Sequence, residues 1–297
     1  MTREEFLKLV GESVFLISSL KVINMATMLD AFSNTKDEDI LMPVLFIGHG
    51  SPMNAIEEND FTRTLQKFGK TLPKPKAILC ISAHWCTNGT FVNVSPKPKM
   101  IYDMYGFPDE LYKVVYPAPG APELARETKQ IITTANVGED TEWGFDHGNW
   151  SIMSRLFPKA DIPLFQMSID YYKPMDYHYN LAKQLSKLRR EGVLIIGSGN
   201  LTHNLRIVDF PNINAKPLDW ALEFDTKIKD FIDNHNHQGV IDYQKIGTSS
   251  KFAVPEPSHY FPLVYALALQ EKNEPISYFY EGFHYGSLSM RCVKIGK

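Results

Sequence analysis

Val44-Leu45-Phe46-Ile47-Gly48-His49-Gly50-Ser51-Pro52 is the stretch from which the fold is read. Four apolar residues, with β-branched and aromatic side chains among them, predict a short buried strand. Gly48 and Gly50 flank a histidine, so the backbone can turn sharply and hold the imidazole clear of other Cβ atoms. Taken alone, a histidine between two glycines is a turn residue more often than a ligand. The pattern recurs twice, however. Ala77-Ile78-Leu79-Cys80-Ile81-Ser82-Ala83-His84 and Val193-Leu194-Ile195-Ile196-Gly197-Ser198-Gly199-Asn200-Leu201-Thr202-His203 are each an apolar run with a histidine a few residues beyond it. Open α/β sheets gather ligand chemistry at the carboxyl ends of their strands. Three buried strands delivering imidazoles to one edge are explained by a metal site and poorly by packing. The expected fold is therefore α/β: a single domain with a central, mostly parallel or mixed sheet flanked by helices. Its site is expected at the carboxyl ends of the strands.

The whole-chain properties are compatible with this reading. A chain of 297 residues, 44% hydrophobic and 22% charged, can bury a sizeable core. A net charge of −3 and a pI near 6.3 give no reason to expect nucleic acid or an anionic membrane as partner. Cys80, Cys86 and Cys292 form no C-x-x-C pair, which argues against a disulfide framework and a thiolate zinc site and suits a cytoplasmic setting. No apolar run approaches the roughly 18 residues that a membrane span requires. Arg3-Glu4-Glu5-Phe6-Leu7-Lys8 departs from a twin-arginine signal at Glu4, and Glu12, Lys21 and Asn24 break the segment after it.

Along the chain, residues 1–41 read as a helical extension and residues 42–297 as one domain. Met53 to Phe68, Pro122 to Ala135, Asp176 to Arg190 and Pro217 to Asn234 are expected helices, and Asp176 is the expected cap of the third. Glu142 to Trp150 reads as a loop carrying His147 beside Asp146, and Ile276 to Glu281 as the last clear strand. Tyr102, Tyr105, Phe107, Tyr112 and Tyr116 crowd a proline-punctuated segment, which fits either a lid over the core or an apolar wall for a flat ring. His178 in a first helical turn, and His235 and His237 at a polar helix end, are expected to be solvated and not ligands. Structural roles are expected for His178 and His284.

Several chemistries lack their residues. Neither Gly50-Ser51-Pro52 nor Gly197-Ser198-Gly199 has the spacing of a nucleophile elbow, and no Lys-Ser/Thr pair follows Gly197 as in a P-loop. H-E-x-x-H and G-x-G-x-x-G are absent. A histidine-rich, thiolate-free site remains, and imidazole suits iron, zinc, copper or nickel.

Ile47-Gly48-His49-Gly50-Ser51-Pro52-Met53, Ser82-Ala83-His84-Trp85, Tyr102-Asp103 with Tyr105-Gly106-Phe107-Pro108, and Tyr116-Pro117-Ala118-Pro119-Gly120 occur in order. Asp146-His147-Gly148, Gly197-Ser198-Gly199-Asn200 with His203-Asn204, and His259-Tyr260 with Pro262-Leu263 complete the set. Together they resemble the class III extradiol ring-cleavage dioxygenases of the LigB-like superfamily, in the 4,5-DOPA dioxygenase-like branch. The resemblance runs from about residue 42 to the C-terminus. It implies a non-haem metal enzyme that inserts O₂ into a catechol and yields a muconic semialdehyde. It implies His49 and His84 as metal ligands, with His259 where better-known relatives supply a glutamate, a departure from the two-histidine, one-carboxylate triad. The cofactor implied is one divalent ion: Fe(II) for dioxygenase activity, or Zn(II) as bound in purified protein. His203 matches the general base or serves as a fourth ligand, and His147 matches a second catalytic histidine. Tyr102, Tyr105, Phe107 and Ser51 are the expected substrate contacts. The partners implied are a small catechol and O₂, with room for a homo-oligomer. A zinc-dependent hydrolase using a metal-activated water is the rival reading, and a non-catalytic member that keeps the metal as a staple is a third.

Overall fold

The structure is a computed structural model in which residues 41–297 are described. The expected N-terminal helical extension lies outside the described residues. The elements in chain order begin with β1 (Val44–Gly48), α1 (Asp60–Gly69), β2 (Ala77–Ser82), β3 (Cys86–Thr87), β4 (Thr90–Asn93), α2 (Pro122–Ile131), β5 (Val137–Asp140) and α3 (His147–Leu156). They continue with β6 (Leu164–Gln166), β7 (Ile169–Asp170), α4 (Met175–Lys183), α5 (Ser186–Arg190), β8 (Val193–Gly199), α6 (Asp219–Asp233), α7 (His237–Ile241) and α8 (Thr248–Ala253). The last are α9 (Phe261–Ala268), β9 (Ile276–Tyr280), β10 (Phe283–His284), β11 (Leu288–Ser289) and β12 (Cys292–Ile295).

Strands β1, β2 and β8 are buried at every position because each is apolar on both faces. They belong to one six-stranded sheet of order β6-β2-β8-β1-β12-β9. The first four strands run parallel, whereas β12 runs antiparallel to β1 and β9 antiparallel to β12. Successive side chains enter opposite faces, as the pleat requires. Val44, Phe46, Leu79, Ile81 and Ile195 join one core cluster, whereas Leu45, Ile47, Ile78, Cys80 and Ile196 join the other. Helix α9 is apolar on all sides and wholly buried, so it packs within the core instead of lying over it. The mixed α/β sheet flanked by helices matches the expected fold class.

Four local readings differ from the structure. The expected helix from Met53 to Phe68 is a 3-10 turn, Pro52–Ala55, and then α1, because Asn59 and Thr62 form a reciprocal capping box that starts a new helix. The expected loop around His147 is the first turn of α3, whose cap is Asp146: its carboxylate accepts from Asn149 N. The Asp176–Arg190 helix is two helices, and Asp176 sits within the first turn after Pro174 instead of capping it. Strand β12 lies beyond the expected last strand and pairs antiparallel with β1. His178 is fully buried, not solvated: its ring nitrogens lie 2.8 Å from the Tyr265 hydroxyl and 3.2 Å from the Lys173 carbonyl. His237 is bound as well, with its two ring nitrogens 2.8 Å from the Tyr179 hydroxyl and 2.9 Å from Gln270 Oε1, while His235 is exposed.

Candidate active site

Strands β2, β8 and β1 are neighbours, so their carboxyl ends bring His84, His203 and His49 to one edge. His49 leaves β1 through Gly50, whose φ of +63° lies in the left-handed region and whose added Cβ would stand 2.6 Å from the Met290 side chain. His259 arrives from the other direction, just before α9. Its carbonyl accepts from Asn200 N at 2.9 Å and approaches Gly199 so closely that a Cβ there would sit 2.1 Å from the oxygen. Glycine at 199 is thus what allows the loop carrying His259 to close on the end of β8.

Hydrogen-bond bookkeeping fixes the tautomers of three histidines. The Ser198 hydroxyl donates to the Gly148 carbonyl at 2.5 Å, so at 3.0 Å it accepts from His49 Nδ1. Asp103 Oδ2 accepts from His84 Nδ1 at 3.0 Å. The Ser258 hydroxyl donates to Glu256, so at 3.1 Å it accepts from His259 Nδ1. Each Nδ1 therefore carries the proton, and each Nε2 is left as a bare lone pair. His49 Nε2 and His84 Nε2 face one another at 3.2 Å with no proton to share between them, and His259 Nε2 is buried without a partner. The ligand nitrogens of these three lie within 4.8 Å of one another. Tetrahedral zinc coordination sets two imidazole nitrogens about 3.3 Å apart. Three inward lone pairs backed by outer acceptors are a donor set that fits a divalent transition metal.

Two further histidines border this set. The His203 ring lies parallel to the His259 ring, with centroids 3.4 Å apart and planes 4° off parallel, so it covers the face of His259 and is not grouped with the three converging nitrogens. His147 lies beside Asp103 and not against its neighbour Asp146: its backbone N donates to Asp103 Oδ1 at 2.9 Å, and its Nδ1 lies 3.1 Å from that oxygen, off the line of a good hydrogen bond. Asp146 is occupied by Ser82, Trp143, Gln166 and the α3 N-terminus.

The electrostatics follow from burial. Loss of solvent, then the neighbouring histidines, hold His49 and His259 well below the usual imidazole range. His203 is pushed down to about 3 by burial and then by His84 and His147. His147 is lowered for the same reasons, with Asp103 opposing the shift. Burial alone would raise the Asp103 carboxyl, but hydrogen bonding with His147 and His84 outweighs it and holds the group well below the usual carboxylate range.

All five histidines and Asp103 line one cavity of about 580 Å³. Of the four expected substrate contacts, Ser51, Tyr105 and Phe107 also line it. Tyr102 does not. Its hydroxyl donates to the Val114 carbonyl at 2.7 Å and its ring stands beside Tyr112 and Trp150, so it holds the aromatic segment together from behind. The lid and wall readings of that segment thus divide, with Tyr116 buried in the core and Tyr105 and Phe107 on the cavity. His284 is buried against Phe61 and lies outside the cavity. Asp103 is the residue that sequence reasoning missed. It stands in the quoted Tyr102-Asp103 motif, but a single acid in a run of aromatics carries no sign of its role. Tyr285, whose φ is +56° although it is not glycine, also lines the cavity, as does Phe210.

Comparison with known proteins agrees with this architecture. Residues 43–289 match the family described as the catalytic LigB subunit of aromatic ring-opening dioxygenase. The chain is 44% identical over 262 residues to 4,5-DOPA dioxygenase extradiol of Escherichia coli (strain K12), covering 86% of this chain and 95% of that protein. It is 35% identical to the Beta vulgaris protein of the same name, covering 86% of this chain and 97% of that one. A crystal structure of an uncharacterized protein from Escherichia coli K12 superposes with a TM-score of 0.74 at 40% identity, covering 86% of this chain and all of the other. These matches favour ring opening over the hydrolase reading. The chain belongs to the LigB family and is an extradiol dioxygenase, an enzyme that opens a catechol ring beside its two hydroxyls.

Proposed function

We propose that this enzyme cleaves a DOPA-like catechol with Fe²⁺ held by His49, His84 and His259, while His203 and His147 move the protons. The observation that carries this reading is the set of three Nδ1–H groups each tied to an outer acceptor, which turns three buried lone pairs inward on a cavity floor. The names of the Escherichia coli and Beta vulgaris relatives support a catechol amino acid as substrate. When bound, the metal supplies Lewis acidity that acidifies a catechol hydroxyl and a point where ring and O₂ meet. Three neutral ligands also suit Zn²⁺, so zinc is the other divalent ion that this set would hold.

His203 is neutral at pH 7, because burial and then His84 and His147 push it down to about 3. A neutral imidazole has a free lone pair for the hydroxyl proton, and one that protonates reluctantly passes the proton on readily. Its parallel stacking on His259 favours this role over that of a fourth ligand. His147 has a carboxylate at 3.1 Å, which steadies an imidazolium there and makes it the better carrier of a proton towards oxygen. Ser51, Tyr105 and Phe107 bound the space the ring would occupy. In the overall reaction the carbon–carbon bond beside the diol breaks, and both atoms of O₂ enter the product. One carbon ends as a carboxylate, the other as an aldehyde. Three free thiols fit a reducing, cytoplasmic compartment.

The test is anaerobic loading with Fe²⁺, followed by O₂ uptake and absorbance with a panel of catechols that includes DOPA. The expected result is a yellow ring-opened product with equimolar O₂ consumed, lost in His49→Ala. Iron-loaded protein that consumes no O₂ with any of them would overturn the reading.

A further inference from the structure

Tyr285 occupies a backbone position that suits a different residue. Strands β10 and β11 pair His284 with Leu288, and Ser287 N donates to the His284 carbonyl at 3.3 Å, so Tyr285 and Gly286 are the central pair of the turn. Their φ values are +56° and +75°, the two positive angles that a primed hairpin turn requires. Asn-Gly, Asp-Gly and Gly-Gly adopt them readily, whereas a tyrosine Cβ is strained there. Of the four non-glycine residues with positive φ among the described residues, Ala160, His235, Asn273 and Tyr285, only Tyr285 lines the histidine cavity. Strain of this kind gathers at ligand sites, where the side chain serves something other than the turn.

The backbone holds this hairpin without help from the ring. Tyr285 N donates to the Ile213 carbonyl at 2.9 Å, and the Tyr285 carbonyl accepts from Asp209 N at 3.1 Å. The Gly286 carbonyl accepts from Leu218 N at 2.8 Å. The side chain is buried, and it borders two spaces at once. On one side is the cavity floored by the five histidines, and on the other an adjoining cavity of about 400 Å³ that contains Arg206, Asp209 and Lys216. The ring is therefore a partition between the histidines and a charged space, with the Phe210 ring 6.0 Å away. Burial and then the Glu57 carboxylate push the Tyr285 hydroxyl up, with hydrogen bonding to Ser51 opposing, so the phenol keeps its proton at pH 7. Ser51 Oγ accepts from Met53 N at 3.2 Å and has its own proton to give the phenol oxygen. The phenolic proton is then left to donate to a ligand oxygen.

We propose that Tyr285 is a substrate-contacting residue: its ring is the wall against which the catechol lies, and its hydroxyl donates to an oxygen of the bound catechol. The proposal rests on the ring-cleavage reading above and adds a residue to that same site. It is tested with Tyr285→Phe and Tyr285→Asn in the full chain, by DOPA turnover with Fe²⁺ and by anaerobic calorimetric binding of DOPA to the Zn²⁺-loaded protein. Tyr285→Phe keeps the ring and loses one hydrogen bond, so kcat/KM should fall about tenfold at an unchanged Tm. Tyr285→Asn removes the wall as well, and both kcat/KM and the Kd for DOPA should worsen by about tenfold or more. Its Tm should stay within a few degrees of the parent, because asparagine relieves the left-handed turn and the lost ring is open to a cavity on either side. Zn²⁺ affinity should not change in either variant, since Tyr285 is not a ligand. Binding and kcat/KM within about twofold of the parent in both variants would overturn the proposal, whatever their Tm. So would a matching loss of Zn²⁺ affinity, which would mark a tyrosine that only props up the histidines. Parent enzyme that binds DOPA without cleaving it would overturn the ring-cleavage reading, and the Kd values of the two variants would still decide the contact.

Discussion

Asp103 has one carboxylate on two histidines, and this makes it the most informative single residue to change. In Asp103→Asn the amide presents an N–H₂ to one imidazole N–H, so His84 can no longer be held in its Nδ1–H tautomer while the His147 backbone N is also satisfied. The expected outcome is a 10- to 100-fold loss of metal affinity or kcat, by analogy with other outer-sphere partners of metal-bound imidazole, with near-normal thermal stability. Chelator competition and steady-state kinetics check it, and unchanged values for both would remove Asp103 from the site. His178 gives a prediction about pH. Burial pushes it down to about 4 from an unfolded value near 6.5. The unfolded chain therefore takes up a proton that the folded chain refuses, so the contribution is complete above pH 6.5 and falls away towards pH 4. The span is worth about 3 kcal/mol. Urea midpoints measured across this range should decline with falling pH, and His178→Gln should flatten part of the decline.

At the scale of the element, α3 shows why local patterns mislead. Its first residue is His147, and its cap, Asp146, also accepts from the Ser82 hydroxyl at 2.7 Å, Trp143 Nε1 at 3.2 Å and Gln166 Nε2 at 2.8 Å. One buried carboxylate thus joins the end of β2, the loop before α3, and β6. Asp146→Ala would remove the cap, worth about 1 kcal/mol, and leave buried donors unpaired at roughly 1–3 kcal/mol each. The expected loss is at least about 3 kcal/mol by urea denaturation, and a loss under about 1 kcal/mol would show that water replaces the carboxylate. At the other end of α3, Arg155 donates to the Asn54 and Glu57 carbonyls at 2.7 and 2.8 Å, which ties α3 to the turn that follows His49. In sequence, His147-Gly148-Asn149-Trp150 reads as a continuation of the loop from Glu142, because the helix signal, an aspartate before His147, is followed at once by a helix-weakening glycine. Gly148 is there because a Cβ would fall 2.8 Å from the His84 ring. Helix propensity gave way to the site.

For the whole molecule, the three converging histidines come from segments that are far apart in the chain, so a metal held by them should stabilise the fold as a unit. A ligand present at about 100 times its Kd adds about 2.7 kcal/mol when only the folded chain binds it. Scanning calorimetry should therefore show a Tm raised by several degrees with Zn²⁺ or Fe²⁺, reversed by chelator and absent in His259→Ala. No shift with either ion would mean that the three histidines do not hold a metal. Among the described residues no helix is long and apolar enough to cross a membrane.

Sequence alone determined the parallel centre of the sheet. Strands β1, β2 and β8 are apolar on both faces, and that pattern permits few other environments. It also determined where His49, His84 and His203 lie, because each follows its strand within a few residues. Tertiary structure decided how the five imidazoles differ in kind. Which nitrogen carries the proton depends on Ser198, Asp103 and Ser258, and two of these are distant in sequence from the histidine they serve. That Tyr102 supports from behind while Phe210 and Tyr285 face the cavity is likewise a matter of which way a loop turns. Apolar periodicity encodes burial, whereas the direction of a loop side chain is set by partners it meets only once the chain has folded.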